Sequence, residues 1–260
     1  MSYFSVKCFG VGDGVPNVDR NHSSYLYKLG DVTVLIDCGE PVSRSLKAAG
    51  VGYDAIDRVF ISHLHSDHVG GFFMLLQSLW LEQRRKDLVI HLPEDALAPL
   101  QQMLRGAYLF EELFSFKLRF QTLRSGEPIK IDSATVTPSP TTHLDKLRQK
   151  FQTKYPGRYE AFCFSLETQG KRIVHSCDLG APEDLGPLLA EPVDLLVCEV
   201  SHFEPQTLFD YLSRYPVKRL ALVHIARTHW EQLDKVVAAA RKTLAGVEVL
   251  VPRDQEEISL

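Results

Sequence analysis

The sequence predicts an α+β fold in which two stacked β-sheets carry helices on their outer faces. Segments with the apolar or alternating pattern of β-strands come in two batches along the chain, and helical segments follow each batch. The chain has 260 residues and 45% hydrophobic residues, so it is long enough to bury a large core. We therefore expect a single domain that spans residues 1–260.

The first batch of elements precedes residue 110. We expect strands at residues 3–9, 24–29, 32–36, 55–62 and 88–92, and helices at 43–50, 72–81 and 94–106. The helix at 72–81 is apolar almost all round, which indicates burial against a sheet. His91 lies in an apolar strand, where a lone histidine is expected to be structural. The aromatic segment 110–120 either lines a substrate pocket or packs the second sheet, and the sequence leaves both interpretations open.

The second batch occupies the rest of the chain. We expect strands at residues 129–137, 173–177, 193–198, 220–223 and 248–251, and one amphipathic helix at 230–244. The polar residues that could carry chemistry stand at the ends of these strands. In α/β sheets this is where function usually lies.

Four side chains of the kind that bind metals follow the strand predicted at 55–62. They are His63, His65, Asp67 and His68. In an extended chain alternate side chains share a face, so His63 and His65 can bind one ion while Asp67 and His68 turn toward a second. A polar loop with incidental histidines is the alternative, and the density of ligand-type side chains argues against it.

More ligand-type side chains stand at strand ends in the second half. His143 follows a proline-bracketed approach, and Asp178, Glu199 and His224 end three successive predicted strands. A single Asp or His at such a position is more often a cap or a surface residue. Their recurrence, together with the cluster at 63–68, favours a metal or catalytic site.

Charge and cysteine content limit the partners and the compartment. The net charge of −4 gives no general attraction to nucleic acid or to an anionic membrane. The five cysteines form no Cys-x-x-Cys pair, which is typical of reduced core thiols. No apolar run reaches the length that spans a bilayer. We therefore expect a soluble cytoplasmic protein with no membrane partner.

The segment from His63 to His68 resembles the His-x-His-x-Asp-His signature of the metallo-β-lactamase superfamily. The resemblance spans essentially the whole chain and implies an αββα sandwich with a dinuclear site between the two sheet edges. It implies that one metal ion is held by His63, His65 and His143, that a second is held by Asp67, His68 and His224, and that Asp178 bridges them. Zinc is the expected metal for two such ions, and manganese or iron fit the same ligands.

Within the superfamily the chain resembles the ribonuclease Z group. The segments that carry this resemblance are Gly-Asp-Gly-Val-Pro at 12–16, Asp-Cys-Gly-Glu at 37–40, Asp-Leu-Leu-Val-Cys-Glu at 194–199 and His-Ile-Ala-Arg at 224–227. Two features depart from the group. The interval from His143 to Asp178 is too short for the long arm that grips transfer RNA, and the interval from Glu199 to His224 lacks the His-Ser-Thr segment that supplies the proton donor. These departures argue against cleavage of precursor tRNA.

The resemblance implies hydrolysis by a water that two close cations ionise near neutral pH. We assign catalytic roles to Asp67, His202 and Glu199. His202 lies three positions after Glu199, and we expect Glu199 to hold it as the proton donor for the leaving group. A surface histidine, or one that only orients a ligand, is the alternative.

The segment that follows His143 is basic and contains aromatic residues. Its members are Lys146, Arg148, Lys150, Phe151, Lys154, Tyr155 and Arg158. Such a segment can hold a phosphate or a nucleotide base, and a solvated helix face is the favoured alternative.

Three functions follow from these observations. The first is a phosphodiesterase acting on nucleotides, RNA ends or other small phosphodiesters. The second is a hydrolase of a carboxylic ester, thioester, lactone or lactam on the same dinuclear site, since a fold does not fix the bond that is cleaved. A non-catalytic metal-binding sensor is disfavoured because every expected ligand is present. A homodimer is a further expectation, because members of the ribonuclease Z group are commonly dimeric.

Overall fold

The computed structural model describes residues 4–260, and the chain forms two compact units. The first unit runs to Leu123 and also includes Arg253–Ser259, and the second contains Arg124–Pro252 and Leu260. Over residues 4–260 no helix has both the length and the apolar character needed to cross a membrane. The expectation of a single domain stays a prediction.

The first unit contains one seven-stranded sheet and four helices among its described residues. Its strands are β1 (Phe4–Gly10), β2 (Ser24–Leu29), β3 (Val32–Ile36), β4 (Arg58–Phe60), β5 (Leu88–Leu92), β6 (Leu118–Thr122) and β14 (Glu257–Ser259). Its helices are α1 (Val42–Ala48), α2 (Ser66–Val69), α3 (Phe72–Leu81) and α4 (Glu94–Gly106).

The sheet of the first unit is mixed, with the strand order β14-β1-β2-β3-β4-β5-β6. The pairs from β14 to β3 are antiparallel, and those from β3 to β6 are parallel. Apolar residues from β3, β4 and β5 pack with α1, α3 and α4 into one core, in which Leu35, Val59 and Leu76 are fully buried. The carboxyl ends of parallel strands therefore lie at one edge of a buried sheet, where α/β folds usually bind ligands.

The second unit contains another seven-stranded sheet and four helices. Its strands are β7 (Ile129–Ile131), β8 (Ala134–Pro140), β9 (Phe162–Thr168), β10 (Lys171–His175), β11 (Leu195–Val200), β12 (Arg219–Ile225) and β13 (Glu248–Leu250). Its helices are α5 (Asp145–Phe151), α6 (Pro205–Leu212), α7 (Arg227–Trp230) and α8 (Leu233–Thr243), and a 3-10 segment covers Pro182–Leu188.

The second sheet, like the first, has antiparallel strand pairs on one side and parallel pairs on the other. Its order is β13-β12-β11-β10-β9-β8-β7, with antiparallel pairs from β7 to β10 and parallel pairs from β10 to β13. Its core packs β10, β11 and β12 against α6 and α8, with Leu196, Phe209 and Leu222 fully buried. Each unit thus carries a mixed sheet with its own helices.

Most predicted elements are present, either with the predicted bounds or with small shifts at their ends. The hairpin of β2 and β3, the helices α3 and α4, and the strand β5 have the predicted bounds. Residue 3 of the first predicted strand lies outside the described residues. His91 is buried in β5 and stacks on Phe60 with ring centroids 4.6 Å apart, which supports its structural interpretation.

Three predictions about elements are wrong. The strand predicted at 55–62 is only Arg58–Phe60, because the chain then leaves the sheet and the Ser62 backbone N–H bonds to Asp37. The segment 129–137 is two strands joined at Asp132, whose φ of 46° reverses the chain. The helix predicted at 230–244 is two helices, because Gln232 has a non-helical φ of −123°. The predicted burial of α3 against the sheet is confirmed, since Phe72, Leu75 and Leu79 lie in the core of the first unit, while Met74 on the other face is 50% exposed.

The aromatic segment 110–120 belongs to the first unit and not to the second sheet. Part of it forms β6, which pairs with β5. Phe110, Phe114 and Phe120 line a cavity of about 360 Å³. Phe114 and Phe120 also pack against the core of the first unit, and no member of the candidate metal site lines the cavity, so a role as a substrate pocket stays a prediction. Two strands were not predicted from the sequence: β9, which is buried along most of its length, and the short polar strand β14.

Candidate metal centre

Each unit carries a group of ligand-type side chains at the carboxyl ends of its strands. In the first unit these are His63, His65, Asp67 and His68, which follow β4 and which we call the first ligand group. In the second unit they are His143, Asp178 and His224, which we call the second ligand group. His202 and Glu199 lie beside the second group.

The first ligand group is compact. The ring of His63 lies 4.7 Å from that of His65 and 4.1 Å from that of His68, measured between centroids. Asp67 and His68 are brought together by the one-turn helix α2, where Asp67 Oδ2 lies 3.4 Å from His68 Nε2. That distance is long for a hydrogen bond between these atoms. It fits two ligands of one ion, since ligand atoms about 2.1 Å from a tetrahedral zinc lie about 3.4 Å apart.

Asp37 orients the first ligand group from the end of β3. Its buried carboxylate accepts hydrogen bonds from His68 Nδ1 at 2.6 Å, from the Ser62 backbone N–H at 2.7 Å and from Ser62 Oγ at 2.8 Å. His63 Nδ1 lies 3.0 Å from the same hydroxyl oxygen. Because Nδ1 of His68 carries the donated proton, Nε2 carries the lone pair and is the nitrogen that can bind a metal.

Backbone contacts hold this turn against the end of β3. The Cys38 N–H donates to the His68 carbonyl at 2.7 Å, and the Gly71 N–H donates to the Cys38 carbonyl at 2.8 Å. At Gly39 a Cβ atom would lie 2.4 Å from the Asp67 carbonyl oxygen, so a larger residue would push the turn away. The glycine is therefore needed for a close backbone approach.

In the second ligand group Asp178 presents one oxygen to each of two imidazoles. Asp178 Oδ2 lies 3.6 Å from His143 Nε2, and Asp178 Oδ1 lies 3.7 Å from His224 Nε2. All three side chains are at least 94% buried, with exposed fractions of 6% for His143, 2% for Asp178 and 4% for His224. Each oxygen of this carboxylate can therefore act as a metal ligand beside one imidazole nitrogen.

The backbone of β12 turns His224 out of the strand ladder. As expected, this residue lies at the carboxyl end of its strand, one residue before the last of β12, and Glu199 has the same place in β11. The register between the two strands shifts between Glu199 and Val200, and His224 has a φ of 45°. A bulge of this kind re-aims one side chain, here the His224 imidazole.

Glu199 holds His202, as the sequence analysis expects. Both oxygens of this buried carboxylate lie 2.8 Å from His202 Nδ1, and one also accepts the Leu179 backbone N–H. His202 Nε2 lies 3.9 Å from Asp178 Oδ2, and its ring stacks with that of His224 at 5.8 Å. Burial opposes protonation of His202, but the hydrogen bond and charge of Glu199, with the charge of Asp178, outweigh it and raise the pKa of this imidazole.

The donor sets fit divalent metal ions. Imidazole nitrogens and carboxylate oxygens at spacings of 3.4 to 3.7 Å are the ligands that zinc takes in proteins. Residue types and spacing predict the members of both ligand groups, but they predict no role for Asp37 or Ser62. The segment Asp-Cys-Gly-Glu at 37–40, which resembles the ribonuclease Z group, was a signal for Asp37.

The basic segment that follows His143 is exposed. Helix α5 buries none of its residues, and Lys150 and Lys154 lie over the rings of Phe151 and Tyr155 at 5.0 and 5.2 Å. Arg148 pairs with Asp145 at 3.0 Å. These contacts fit the solvated helix face that the sequence analysis favours.

Comparisons with known proteins give the family. A family model described as Anti-Pycsar protein Apyc1 matches residues 4–227. A ribonuclease Z from Methanothermobacter thermautotrophicus is 25% identical over 290 residues, covering 94% of this chain and 93% of the relative. A ribonuclease Z from Archaeoglobus fulgidus is 31% identical over 143 residues, covering 55% of this chain, and there the match spans only 45% of the relative's length.

The fold comparison agrees with the sequence prediction. The crystal structure of the metallo-β-lactamase fold protein YhfI from Bacillus subtilis matches with a TM-score of 0.79 and 19% identity, covering 99% of this chain and 100% of that one. The predicted fold class, α+β with two mixed sheets and helices, is therefore confirmed. The chain has the metallo-β-lactamase fold and is similar in sequence to proteins named ribonuclease Z. It belongs to the family described as Anti-Pycsar protein Apyc1.

Proposed function

We propose that the protein is a metal-dependent phosphodiesterase whose two ligand groups bind divalent metal ions. The observation that carries the proposal is the position of Asp178, whose two oxygens lie 3.6 and 3.7 Å from the Nε2 atoms of His143 and His224. A carboxylate placed in this way suits a site for two ions and not an isolated structural ion. The similarity to proteins named ribonuclease Z supports a phosphodiester substrate.

Zinc is the metal we propose, because imidazole is the most frequent ligand type in the two groups. When bound, two such ions supply hydroxide near neutral pH and offset the charge that builds on the phosphoryl oxygens. In the first group the residues that would hold metal are His63, His65, Asp67 and His68, and in the second group they are His143, Asp178 and His224. Asp37 keeps His68 in the tautomer that presents Nε2.

We assign the proton donor to His202. Its Nδ1 atom is held by Glu199, so its Nε2 atom points toward the second ligand group, 3.9 Å from Asp178 Oδ2. The side chain is 33% exposed, which leaves room for a substrate next to it. A leaving alkoxide needs a proton, and a positioned imidazole supplies it with a typical gain of about 10² to 10⁴ in rate. Glu199 orients this imidazole through its Nδ1 atom.

The substrate we propose is a nucleotide, an RNA end or another small phosphodiester. The interval between His143 and Asp178 holds α5, a loop and the paired strands β9 and β10, with no extended arm for a large RNA. The exposed cations of the basic segment can contact a phosphate. Precursor tRNA is therefore not the substrate we expect.

Paired assays test the proposal. Bis-(4-nitrophenyl) phosphate and 4-nitrophenyl acetate would be offered to the purified protein, with metal content measured by elemental analysis. We expect bound transition metal and turnover of the phosphate that a chelator abolishes. Asp178→Asn should lose at least about 100-fold in rate. Asp194→Asn is the matched control, because Asp194 is a partly buried carboxylate of the same unit that pairs with Lys218.

Three results would contradict the proposal. Turnover of the carboxylate ester alone would indicate the second chemistry considered from the sequence. Stoichiometric metal without turnover of either ester would indicate a sensor. Protein without any transition metal after purification in zinc would remove the metal site itself.

A further inference from the structure

Asp184 joins the two loops that carry His143 and Asp178. One loop follows β8 and contains Thr142 next to His143, and the other follows β10 and contains Gly180 next to Leu179. The carboxylate of Asp184 reaches back from the 3-10 segment Pro182–Leu188 and accepts hydrogen bonds from both loops. Asp184 is not one of the proposed metal ligands.

The carboxylate of Asp184 accepts several hydrogen bonds. Asp184 Oδ2 accepts the Thr142 backbone N–H at 3.0 Å and the Gly180 backbone N–H at 2.8 Å. Thr142 Oγ1 lies 3.1 Å from each carboxylate oxygen and donates to them. The Ala181 N–H is a weaker partner at 3.4 Å. One carboxylate therefore ties the residue before His143 to the second residue after Asp178.

The two loops also touch each other directly. Thr141 Oγ1 donates to the Asp178 carbonyl at 2.9 Å, and both atoms are buried. A Cβ atom on Gly180 would lie 2.2 Å from Thr142 Oγ1, so the loops approach as closely as their backbones permit. Because the loops are fixed at these points, small movements of Asp184 would change the 3.6 Å spacing between His143 Nε2 and Asp178 Oδ2.

We propose that Asp184 is a positioning residue that sets the spacing of His143 and Asp178 for metal binding. It acts through the backbone of the two loops and touches no metal. The inference rests on the proposed metal site of the protein. Groups that orient metal ligands typically change metal affinity about 10- to 100-fold when removed.

A plain structural role is the competing explanation. Asp184 also lies in the first turn of the 3-10 segment, where an acidic side chain caps backbone N–H groups. A cap of this kind would stabilise the unit in the absence of metal and leave metal affinity alone. Metal affinity and metal-free stability must therefore be measured separately.

The experiment compares three variants of the full chain. Asp184→Ala removes every hydrogen bond of the carboxylate. Asp184→Asn is the conservative variant, since its carbonyl oxygen can accept the two backbone N–H groups and its amide can donate to Thr142 Oγ1. Asp194→Asn is the control, because Asp194 accepts the Arg172 backbone N–H at 2.9 Å and lies in the same unit.

Zinc affinity and stoichiometry would be measured on metal-free protein with a competing chromophoric chelator, and the melting temperature of the metal-free protein would be recorded. We expect Asp184→Ala to bind zinc at least about 10-fold more weakly, with Asp184→Asn recovering most of the loss. We expect Asp194→Asn to bind as wild type. Should Asp184→Ala not fold, Thr142→Val replaces it, since it removes the side-chain contacts at the same loop.

Three outcomes would overturn the inference. An Asp184→Ala protein that melts earlier but binds zinc with wild-type affinity would leave Asp184 a structural cap only. Equal weakening in Asp194→Asn would show a general loss of stability. A wild-type protein that binds no zinc would overturn the proposed function itself, and the inference with it, which distinguishes the two failures.

Discussion

Nδ1 of His68 donates a hydrogen bond of 2.6 Å to Oδ2 of Asp37, although the two residues lie 31 positions apart in the chain. Both side chains are buried, with exposed fractions of 1% and 0%. The pair fixes which nitrogen of His68 can meet a metal ion. A carboxylate that orients a histidine ligand also makes it a better donor.

Asp37→Asn is expected to weaken metal binding about 10- to 100-fold. An asparagine has one acceptor group for the donors of Ser62 and His68, so one of these contacts is lost. Zinc titration of metal-free protein measures the effect. Asp57→Asn is the matched control, because Asp57 is a buried carboxylate of the same unit that accepts the Thr33 N–H. Equal zinc affinity in the Asp37 variant and the wild type would contradict the orienting role.

His202→Ala is expected to slow the hydrolysis of esters according to their leaving groups. For a diester with an alkoxide leaving group, loss of the proton donor should cost about 10² to 10⁴ in rate. For a 4-nitrophenolate leaving group, which needs no proton, the cost should be small. Initial rates on the two substrates give the comparison. Equal losses on both would refute the proton-donor role.

His91 is expected to make the stability of the protein depend on pH. Burial, with a smaller contribution from the charge of Arg58, lowers the pKa of His91 from 6.5 to about 4. The unfolded chain therefore takes up this proton first, and stability that is present above pH 6.5 is lost as the pH falls toward 4. The loss amounts to about 3 kcal/mol.

The His91→Phe variant isolates this effect, since a phenyl ring keeps the stacking on Phe60 and cannot titrate. Urea unfolding of both proteins at several pH values gives the free energy of unfolding of each. In the difference between the wild type and the variant, the contributions of the other titratable groups cancel. The wild type should lose about 3 kcal/mol relative to the variant between pH 6.5 and 4. A difference that does not change with pH would contradict the prediction.

Arg84→Lys is expected to destabilise the protein by about 3 kcal/mol. The Arg84 guanidinium is 1% exposed and donates to the carbonyls of Ile56 at 2.8 Å, Lys86 at 2.7 Å and Asp87 at 3.0 Å, and to that of Tyr53. A lysine offers one nitrogen and cannot reach all of these carbonyls.

Thermal or urea unfolding measures the loss in Arg84→Lys. The exposed neighbour Arg85 provides the matched control, and Arg85→Lys should change stability by less than about 0.5 kcal/mol. Similar effects of the two changes would show that the buried hydrogen bonds of Arg84 contribute little.

The sequence identified the chemistry of the ligand groups because that chemistry is local. Three histidines and an aspartate within 63–68 are visible without any fold, and strand ends at 178, 199 and 224 follow from apolar periodicity. The contact between Glu199 and His202 could also be predicted from the sequence, because the residues are three positions apart.

Other features depend on backbone conformation that periodicity does not reveal. The bulge that turns His224 out of β12 appears as a φ of 45° and a shift of register, and neither leaves a mark in the residue types. The same holds for the reversal at Asp132, where one strand became two.

The sequence by itself determined the fold class, the candidate metal-ligand residues and their place at or near the ends of strands, because all three depend on residue type and short spacing. Only the tertiary structure decided that Asp37 orients His68 and that Asp184 joins the loops of His143 and Asp178. These contacts link residues 31 and 42 positions apart. Their formation depends on how strands align in a sheet, which no local pattern specifies.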